Sequence, residues 1–437
     1  MFLFRFATAI VAIFVWSMLL GSGLVAHAQG LGHLDRDNAR AMLSAAKDDL
    51  KKYYYDPALR GMDVENRFKE AEAKLAVATT RDQLMIIVAQ TLLDLNDSHT
   101  FFLPPPRAGK VEYGWEMQPI GETSYVVAVK PKSDAEVKGL KLGDEIISVD
   151  GYRPTRDNVW KMYYRYYALM PARGIRLVVK SPGDAQTREL EVLAKVERGA
   201  TVTDWRNIFV RYLREHRDVD QDRFSEIGKE VLIWKMPSFS ISEAHVDDIM
   251  GKAKGFKTLI IDLRGNGGGY MDTLSRLVGY FFDHDVKIAD LKGRKEMKPQ
   301  LAKTRGASGF KGELLVLVDS ESASAAELFA RVVQLEKRGK VIGDRTSGSV
   351  MTSMHYDHQS GVGTVLYFGN SITIADVIMA DGKSLEKVGV TPDVIMVPVG
   401  TDLAAKRDPV LSHAAELAGA TLTPEKAGSL FPKDWRN

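Results

Sequence analysis

The chain of 437 residues carries 59 lysines and arginines against 57 aspartates and glutamates, a formal net charge of +2, which is not the basic balance of a nucleic-acid-binding protein. It has no cysteine, so disulfides, a lipidated cysteine, a thiol nucleophile and cysteine-based metal sites are excluded. Its length allows about two or three domains.

Residues 1–28 have the pattern of a signal peptide. Arg5 is the only charged residue before Asp35, an apolar stretch follows it, and Ala26-His27-Ala28 matches an A-x-A cleavage signal. A membrane anchor is the alternative, but Ser17 and several glycines interrupt the apolar stretch, and no later segment is long and apolar enough to cross a bilayer. We therefore expect export. A bacterial periplasm or cell envelope suits an exported chain without disulfides.

Residues 29–106 are predicted to form an N-terminal helical region. Apolar residues from Ala39 to Leu50 recur at helical spacing, a second helix is predicted over residues 64–77, and Thr80-Arg-Asp-Gln83 is a capping box that starts a third. Three prolines at 104–106 read as a stiff linker. The loop before them contains Ser98-His99, and a lone loop histidine is more often structural than catalytic.

Residues 107–200 change to short strands and turns. Strands are predicted at Tyr125–Val129, Glu145–Val149, Ile175–Val179 and Leu190–Leu193. The segment resembles a PDZ domain, in which Gly114, Trp115, Glu116 and Met117 match the carboxylate-binding loop. The resemblance implies that the C-terminal part of an extended peptide adds as a strand to an edge of the sheet. The alternative is a spacer domain that binds nothing.

Residues 201–437 alternate strands and helices, which predicts an α/β core. The strand Thr258–Asp262 runs into a glycine-rich turn, residues 265–269, whose spacing matches neither phosphate-binding motif. Its glycines leave backbone N–H groups open to a substrate. Short strands at Leu366–Phe368 and Ile372–Ile374 are predicted to pair as a hairpin, and a closing helix is predicted over Pro409–Leu417.

Ser324 lies between a predicted buried strand, Leu314–Val318, and a helix that begins at Ala325. A hydroxyl there is close to the first backbone N–H groups of the helix and to the positive end of its dipole, where negative charge on a substrate oxygen is stabilised. Ser324-Ala-Ala-Glu327 also matches a capping box, so a helix cap is the alternative role.

Four ordered motifs resemble peptidase family S41, which includes the C-terminal processing (tail-specific) proteases and the tricorn core protease. They are Asp262-Leu-Arg-Gly-Asn-Gly-Gly-Gly, Ser322-Ala-Ser324-Ala-Ala-Glu327, Gly343-Asp-Arg-Thr and Gly389-Val-Thr-Pro-Asp393. The resemblance implies a helical N-terminal region, an inserted PDZ domain and a crotonase-like (ClpP/crotonase-type) protease core. It also implies that Ser324 is the nucleophile.

The chain departs from the processing proteases at the position of their catalytic lysine, where it has Ser349. The tricorn branch instead uses a Ser-His-Ser-Glu arrangement, and Ser98-His99 and Glu386 match its remaining members. The resemblance therefore implies His99 as general base with Ser98 and Glu386 in support. Which of the two contacts the imidazole is left open. Backbone N–H groups of Gly268 and Ala325 are expected to form the oxyanion hole.

These motifs predict an exported serine endopeptidase that cleaves extended or misfolded polypeptides engaged near their C-terminus. No metal, nucleotide, nucleic acid or lasting membrane span is expected, and the oligomeric state is left open. One alternative is a catalytically inactive PDZ-containing scaffold that binds peptides without turnover. Another is a hydrolase of a different acyl substrate, although a PDZ domain would then have no peptide to hold.

Overall fold

A computed structural model of the chain describes residues 31–107, 109–198, 221–361 and 365–432. The predicted signal peptide and the predicted boundary at residue 200 lie outside these ranges. Within them, no helix combines the length and the apolar character that crossing a bilayer requires.

The N-terminal region is helical, as predicted. Its helices are α1 (His33–Tyr53), α2 (Val64–Val77) and α3 (Arg81–Leu93). The predicted capping box forms at the start of α3, where the Thr80 hydroxyl accepts from the Gln83 backbone N–H and the Gln83 side-chain Oε1 accepts from the Thr80 N–H. The apolar faces of the three helices pack with Phe102, Phe368 and Ile372, which holds the segment around His99 against the rest of the chain.

Residues 109–198 form a β-rich insert. Strands β2 (Gly109–Glu112) and β8 (Lys195–Arg198) pair at its base. A five-stranded antiparallel sheet has the order β3-β4-β5-β6-β7, so β3 is at an edge. Its strands are β3 (Trp115–Ile120), β4 (Thr123–Val129), β5 (Glu145–Val149), β6 (Gly174–Lys180) and β7 (Arg188–Leu193). The helices are α4 (Asp134–Val137) and α5 (Val159–Tyr163), and α5 continues as a π-helical segment, Tyr164–Leu169. The four predicted strands are all present.

The C-terminal core contains a six-stranded sheet of order β18-β15-β14-β11-β10-β9. Only β9 (Arg223–Ile227) is antiparallel to its neighbour in this order. The parallel strands are β10 (Val231–Lys235), β11 (Thr258–Asp262), β14 (Glu313–Val318), β15 (Lys340–Gly343) and β18 (Val394–Ile395). The helices are α6 (Glu243–Ala253), α7 (Met271–Val278), α8 (Ala325–Leu335), α9 (Gly400–Ala404), α10 (Pro409–Leu417) and α11 (Pro424–Leu430).

Both faces of this sheet are buried, as parallel strands require. On β14, Leu314, Val316 and Val318 face the cluster that includes α6, α7 and α8. Leu315 and Leu317 face the opposite cluster, which includes α10 and α11. The chain is therefore a mixed α/β protein in which β14 and α8 meet deep in the core.

A second sheet joins the N-terminal region to the core. Its strands are β1 (Phe101–Leu103), β12 (Val286–Gly293), β13 (Gln300–Ala302), β16 (Met351–Ser360) and β17 (Leu366–Met379). Strand β17 pairs antiparallel with β1, β12 and β16. Because β1 begins two residues after His99, this pairing fixes the position of the histidine relative to the core.

The predicted hairpin at residues 366–374 is wrong, because β17 runs through it without a turn. Asn370 and Ser371, which read as turn residues, are fully buried. The Asn370 amide donates to the Asp49 carboxylate (2.8 Å), and the Ser371 hydroxyl donates to the His99 carbonyl (2.6 Å). Partners from the N-terminal region satisfy these polar side chains and override the local turn preference.

Candidate active site

Ser324 occupies a strained turn between β14 and α8. Its backbone has φ +54° and ψ −119°, a region that residues with a side chain rarely adopt and that persists only where the surroundings impose it. The Ser324 N–H donates to the Ser349 carbonyl (3.0 Å) and to the Glu327 carboxylate (3.0 Å). A strained strand-to-helix turn is how hydrolases of other folds expose a nucleophilic serine.

The alternative role of Ser324 as a helix cap is only half realised. Glu327 accepts from the Ser324 N–H, which is one of the two bonds of a capping box. The Ser324 hydroxyl makes no side-chain cap bond. The hydroxyl is therefore left for a partner other than its own helix.

Ser98 lies between Glu386 and His99. Its hydroxyl is 2.7 Å from the Glu386 Oε2 and 2.7 Å from the His99 Nδ1. Because an ionised carboxylate can only accept, the Ser98 hydroxyl donates to Glu386 and accepts from the Nδ1–H of His99. This network assigns the neutral tautomer of His99 that leaves Nε2 with a free lone pair. Ser98, not Glu386, contacts the imidazole.

One loop links this network to Ser324. The Glu386 carboxylate also accepts from the Val350 N–H (3.0 Å), and the Ser349 carbonyl accepts from the Ser324 N–H (3.0 Å). Adjacent residues therefore hold the carboxylate and the serine backbone. Among the described side chains no hydrogen bond joins the Ser324 hydroxyl to the His99 ring, a contact that in many enzymes tightens only with substrate bound.

Burial keeps His99 neutral. Desolvation lowers the pKa of His99 to about 4, with Asp97 acting to raise it and Lys387 and His355 acting to lower it. Asp97 also positions the histidine, because its carboxylate accepts from the His99 N–H (2.9 Å) and from the Thr373 hydroxyl (2.6 Å). At neutral pH the ring is thus a base that can accept a proton.

The glycine-rich turn lies against Ser324, but one expected role is not realised there. The Gly268 N–H, predicted to bind an oxyanion, already donates to the Asn266 side chain (2.8 Å). Gly268 has φ +95°, and a Cβ on it would be 2.7 Å from the Ser324 Cβ and 3.1 Å from the Ala325 nitrogen. In this conformation Gly268 provides space beside the serine, and Ala325, the first residue of α8, has its N–H at the same place.

Comparison with known proteins agrees with these motifs. The model of peptidase family S41 matches residues 230–396. The chain is 24% identical over 373 residues to the chloroplastic C-terminal processing peptidase of Tetradesmus obliquus, which covers 81% of this chain and 77% of that peptidase. It is 33% identical over 179 residues to the tail-specific protease of Haemophilus influenzae, covering 38% of this chain and only 25% of that protease.

The core of the chain, residues 230–396, belongs to peptidase family S41. It is accordingly a serine-type peptidase, a hydrolase. The crystal structure of mature CPAF has a similar fold, with a TM-score of 0.65 at 14% identity over 85% of this chain and 94% of that one. At that identity the likeness concerns the fold alone.

The predicted carboxylate-binding loop of this S41 peptidase lies at the β3 edge of the insert sheet, but its groups are engaged. The side chains of Trp115, Glu116 and Met117 are buried, and a Cβ on Gly114 would be 2.5 Å from the Ser133 Cβ. The Tyr163 hydroxyl accepts from the Met117 N–H (2.9 Å) and donates to its carbonyl (2.8 Å). The role of residues 114–117 in peptide binding stays a prediction.

Two residues that matter for the site were not predicted. Asn266 is fully buried; its side chain accepts from Gly268 and donates to the Met236 carbonyl (2.9 Å), which fixes the glycine-rich turn. For Glu327 the sequence predicts only a place in a capping box. The sequence signal for Asn266 is its place in the motif Asp262-Leu-Arg-Gly-Asn266. The signal for Glu327 is the S-x-x-E pattern that begins at Ser324. At the end of β11, the Arg264 guanidinium donates to the carboxylates of Asp262 and Asp408.

Proposed function

We propose that this S41 peptidase is an exported serine endopeptidase in which Ser324 is the nucleophile and His99 the general base. The observation that carries the proposal is the ordered contact from Glu386 through Ser98 to His99, at 2.7 Å for each hydroxyl contact. It leaves Nε2 of the ring free, and the segment that holds Glu386 also holds the Ser324 backbone.

In the first half-reaction the Ser324 oxygen attacks the peptide carbonyl carbon while His99 Nε2 takes the hydroxyl proton. The carbonyl oxygen becomes an anion that accepts a hydrogen bond from the Ala325 N–H, at the positive end of the α8 dipole. A second donor from Gly268 requires its N–H to leave Asn266. His99 then gives the proton to the departing amine, and a water repeats the sequence to release the acid.

Ser98 and Glu386 support the developing imidazolium. When His99 gains a proton, Nδ1–H donates to Ser98, and the Ser98 proton stays directed at the Glu386 carboxylate. Burial raises the pKa of Glu386, and the Ser98 hydroxyl and the Val350 N–H act to lower it. This arrangement replaces the serine–lysine pair, because Ser349 stands at the lysine position.

The proposed substrate is an extended or misfolded polypeptide engaged near its C-terminus by the insert. The edge position of β3 in an antiparallel sheet supports a PDZ domain there, and the parallel sheet behind Ser324 supports a crotonase-like core. The names of the two relatives above refer to C-terminal processing and tail-specific proteolysis. Export rests on the pattern of residues 1–28.

The proposal is tested by fluorophosphonate labelling and casein digestion of the mature protein, with Ser324→Ala and His99→Ala beside the wild type. We expect each variant to lose more than about 1,000-fold in kcat/KM, because nucleophile and base act as a unit. Ser308→Ala and His284→Ala, at exposed positions, are matched controls that retain activity. A folded wild type that neither labels at Ser324 nor digests casein would instead favour the peptide-binding scaffold.

A further inference from the structure

Glu327 is a fully buried carboxylate at the start of α8 that accepts four hydrogen bonds. One oxygen accepts from the Thr346 hydroxyl (2.5 Å) and the Gly348 N–H (2.7 Å). The other accepts from the Ser324 N–H (3.0 Å) and the Ser349 N–H (3.0 Å). Three of the four donors belong to the loop of residues 346–349, which a local helix cap does not need.

This loop lies between the two halves of the proposed catalytic machinery. At its end, the Ser349 carbonyl accepts from the Ser324 N–H, and the next residue, Val350, donates to Glu386. The loop also accepts from Lys387, the residue after Glu386, through the Gly348 carbonyl (2.7 Å). The position of the loop therefore sets how far the Ser324 backbone lies from the Glu386–Ser98–His99 network.

We propose that Glu327 is a positioning residue for Ser324, an inference that rests on the proposed function of Ser324 and His99. Its carboxylate fastens the 346–349 loop to the backbone of the nucleophile. In doing so it holds Ser324 in its strained conformation and at a fixed distance from the base. Glu327 itself touches neither the substrate nor the reacting atoms.

The chemistry of the four partners explains why a carboxylate is required. Every group around Glu327 donates, and an ionised carboxylate offers only acceptors. A glutamine would turn its NH₂ group toward one pair of donors, and each pair contains a backbone N–H. Burial raises the pKa of Glu327 to about 7 against the four hydrogen bonds, which lower it. Above this pKa the site holds a charge that burial disfavours, a cost that an exposed cap would avoid.

Thr346 offers a second way to weaken the same contact. Its hydroxyl donates to Glu327 and accepts from the Val390 N–H (2.6 Å). Thr346→Val removes the hydroxyl while keeping the shape of the side chain, and Thr346→Ser keeps the hydroxyl. Higher activity in Thr346→Ser than in Thr346→Val, although serine lacks a methyl group, therefore reports the hydrogen bonds of the hydroxyl and not the volume of the side chain.

The experiment measures kcat, KM and the fluorophosphonate labelling rate of the full-length mature protein and of Glu327→Gln, Thr346→Val and Thr346→Ser. Glu336→Gln, the same change at an exposed position just past the end of α8, is the matched control. We expect Glu327→Gln to lower kcat and the labelling rate about 10- to 100-fold with KM within about twofold, as a small misplacement of a reacting group does. Thr346→Val should lower kcat about tenfold, and Thr346→Ser should restore most of that loss.

The inference is overturned if folded Glu327→Gln keeps kcat within about twofold of the wild type, or if the loss appears in KM instead. If Glu327→Gln does not fold, the Thr346 pair decides, and equal kcat for Thr346→Val and Thr346→Ser overturns it. Failure of the proposed function is distinguishable, because the wild type itself would then not label at Ser324. Labelling of the wild type together with unimpaired labelling of Glu327→Gln removes only the positioning role.

Discussion

Single residues determine where the protons of the site lie. Ser98 separates Glu386 from His99 and assigns the Nδ1–H tautomer of the ring. The sequence predicted all three residues through the S41 motifs but left open which one contacts the imidazole. The order could not be read from sequence because Ser98 and Glu386 lie far apart in the chain and meet only through the fold.

Two other residues show the limit of local patterns. The pattern Ser324-Ala-Ala-Glu327 predicts only a helix cap. It carries no information about the 346–349 loop, whose N–H groups Glu327 also binds. Gly268 was predicted as a donor to an oxyanion, but the side chain two residues before it takes its N–H. Competition for a hydrogen-bond donor is decided by side-chain geometry, which composition and spacing do not give.

The pH dependence of activity is the prediction that belongs to this scale. His99 must be neutral to act as a base, and its pKa is lowered to about 4. Glu327 must be ionised to accept four hydrogen bonds, and its pKa is raised to about 7. Protonation removes both conditions. As the pH falls, kcat should therefore drop near pH 7 to a smaller residual value, and that residual activity should disappear near pH 4.

The surroundings of the two groups define the control. Asp97, Lys387 and His355 influence the pKa of His99. Glu327 instead faces neutral hydrogen-bond donors. The Glu386 carboxylate bonds Val350, next to the 346–349 loop that Glu327 holds. In Glu327→Gln the step near 7 should be absent and the step near 4 retained. The measurement is kcat against pH from about 3.5 to 9 with a non-titrating peptide. A step near 7 that survives in Glu327→Gln contradicts the assignment.

At the scale of elements, the helix of the insert connects three parts of the molecule. Tyr163 of α5 bonds the Met117 backbone on β3. Tyr164, which opens the π-helical segment, donates to the Phe102 carbonyl on β1. The Trp160 ring lies 6.0 Å from the Lys387 ammonium, beside Glu386. π-Helical turns are frequent at functional sites, and here one lies between the insert edge and the strand that follows His99.

Tyr163 controls whether the edge of β3 can accept a peptide. Met117 on β3 is paired with Val126 on β4. The Val126 N–H and carbonyl bond Asp144 and Gly143, on the side of β4 away from β3. The Met117 N–H and carbonyl therefore point out of the sheet edge, toward the Tyr163 hydroxyl. Tyr163→Phe keeps the ring and frees both groups. Since each of the two hydrogen bonds is worth about 0.5–1.5 kcal/mol, we expect the Kd of a labelled peptide with a free C-terminus to fall roughly 5- to 100-fold.

The binding measurement uses fluorescence anisotropy with the full chain carrying Ser324→Ala, which prevents cleavage. Tyr166→Phe is the matched control, because the Tyr166 hydroxyl donates to Asp150 (2.7 Å) and not to the edge. An equal Kd for the Tyr163 and Tyr166 variants would show that strand addition at Met117 does not hold the peptide.

At the scale of the whole molecule, the insert is docked on the segments that flank the nucleophile. The Ser320 hydroxyl donates to the Pro119 carbonyl, and the Gln118 amide donates to the Asp319 carboxylate (2.7 Å). The Gly121 N–H donates to the Asp344 carboxylate (2.8 Å). With Met117 already bonded to α5, alternate residues along the open edge of β3 are covered. A peptide strand and the core therefore compete for the same edge.

The order of the three regions was predictable from the sequence, but their docking was not. Strand and helix periodicities are local, and they placed the helices of the N-terminal region, the strands of the insert and the alternation of the core. The contacts of Gln118 and Gly121 join residues about two hundred positions apart. The failed hairpin in β17 has the same cause, since its polar residues bond to the N-terminal region.

Arg156 is the residue whose removal should loosen this docking. Its guanidinium, 13% exposed, pairs with the Asp344 carboxylate, 11% exposed, and donates to the carbonyls of Gly121 (2.8 Å) and Arg345 (2.8 Å). Arg156→Ala leaves a largely buried carboxylate without its cation, a loss of about 1–3 kcal/mol. Because local opening follows local stability, amide hydrogen exchange in residues 117–121 should become about tenfold faster or more.

The matched control is Arg176→Ala, which breaks an exposed pair with Glu189 (3.6 Å, both side chains at least 60% exposed) in the same insert. An exposed ion pair of this kind contributes about 0–1 kcal/mol. Equal exchange rates at residues 117–121 in the two variants would mean that the Arg156–Asp344 contact does not hold the insert on the core.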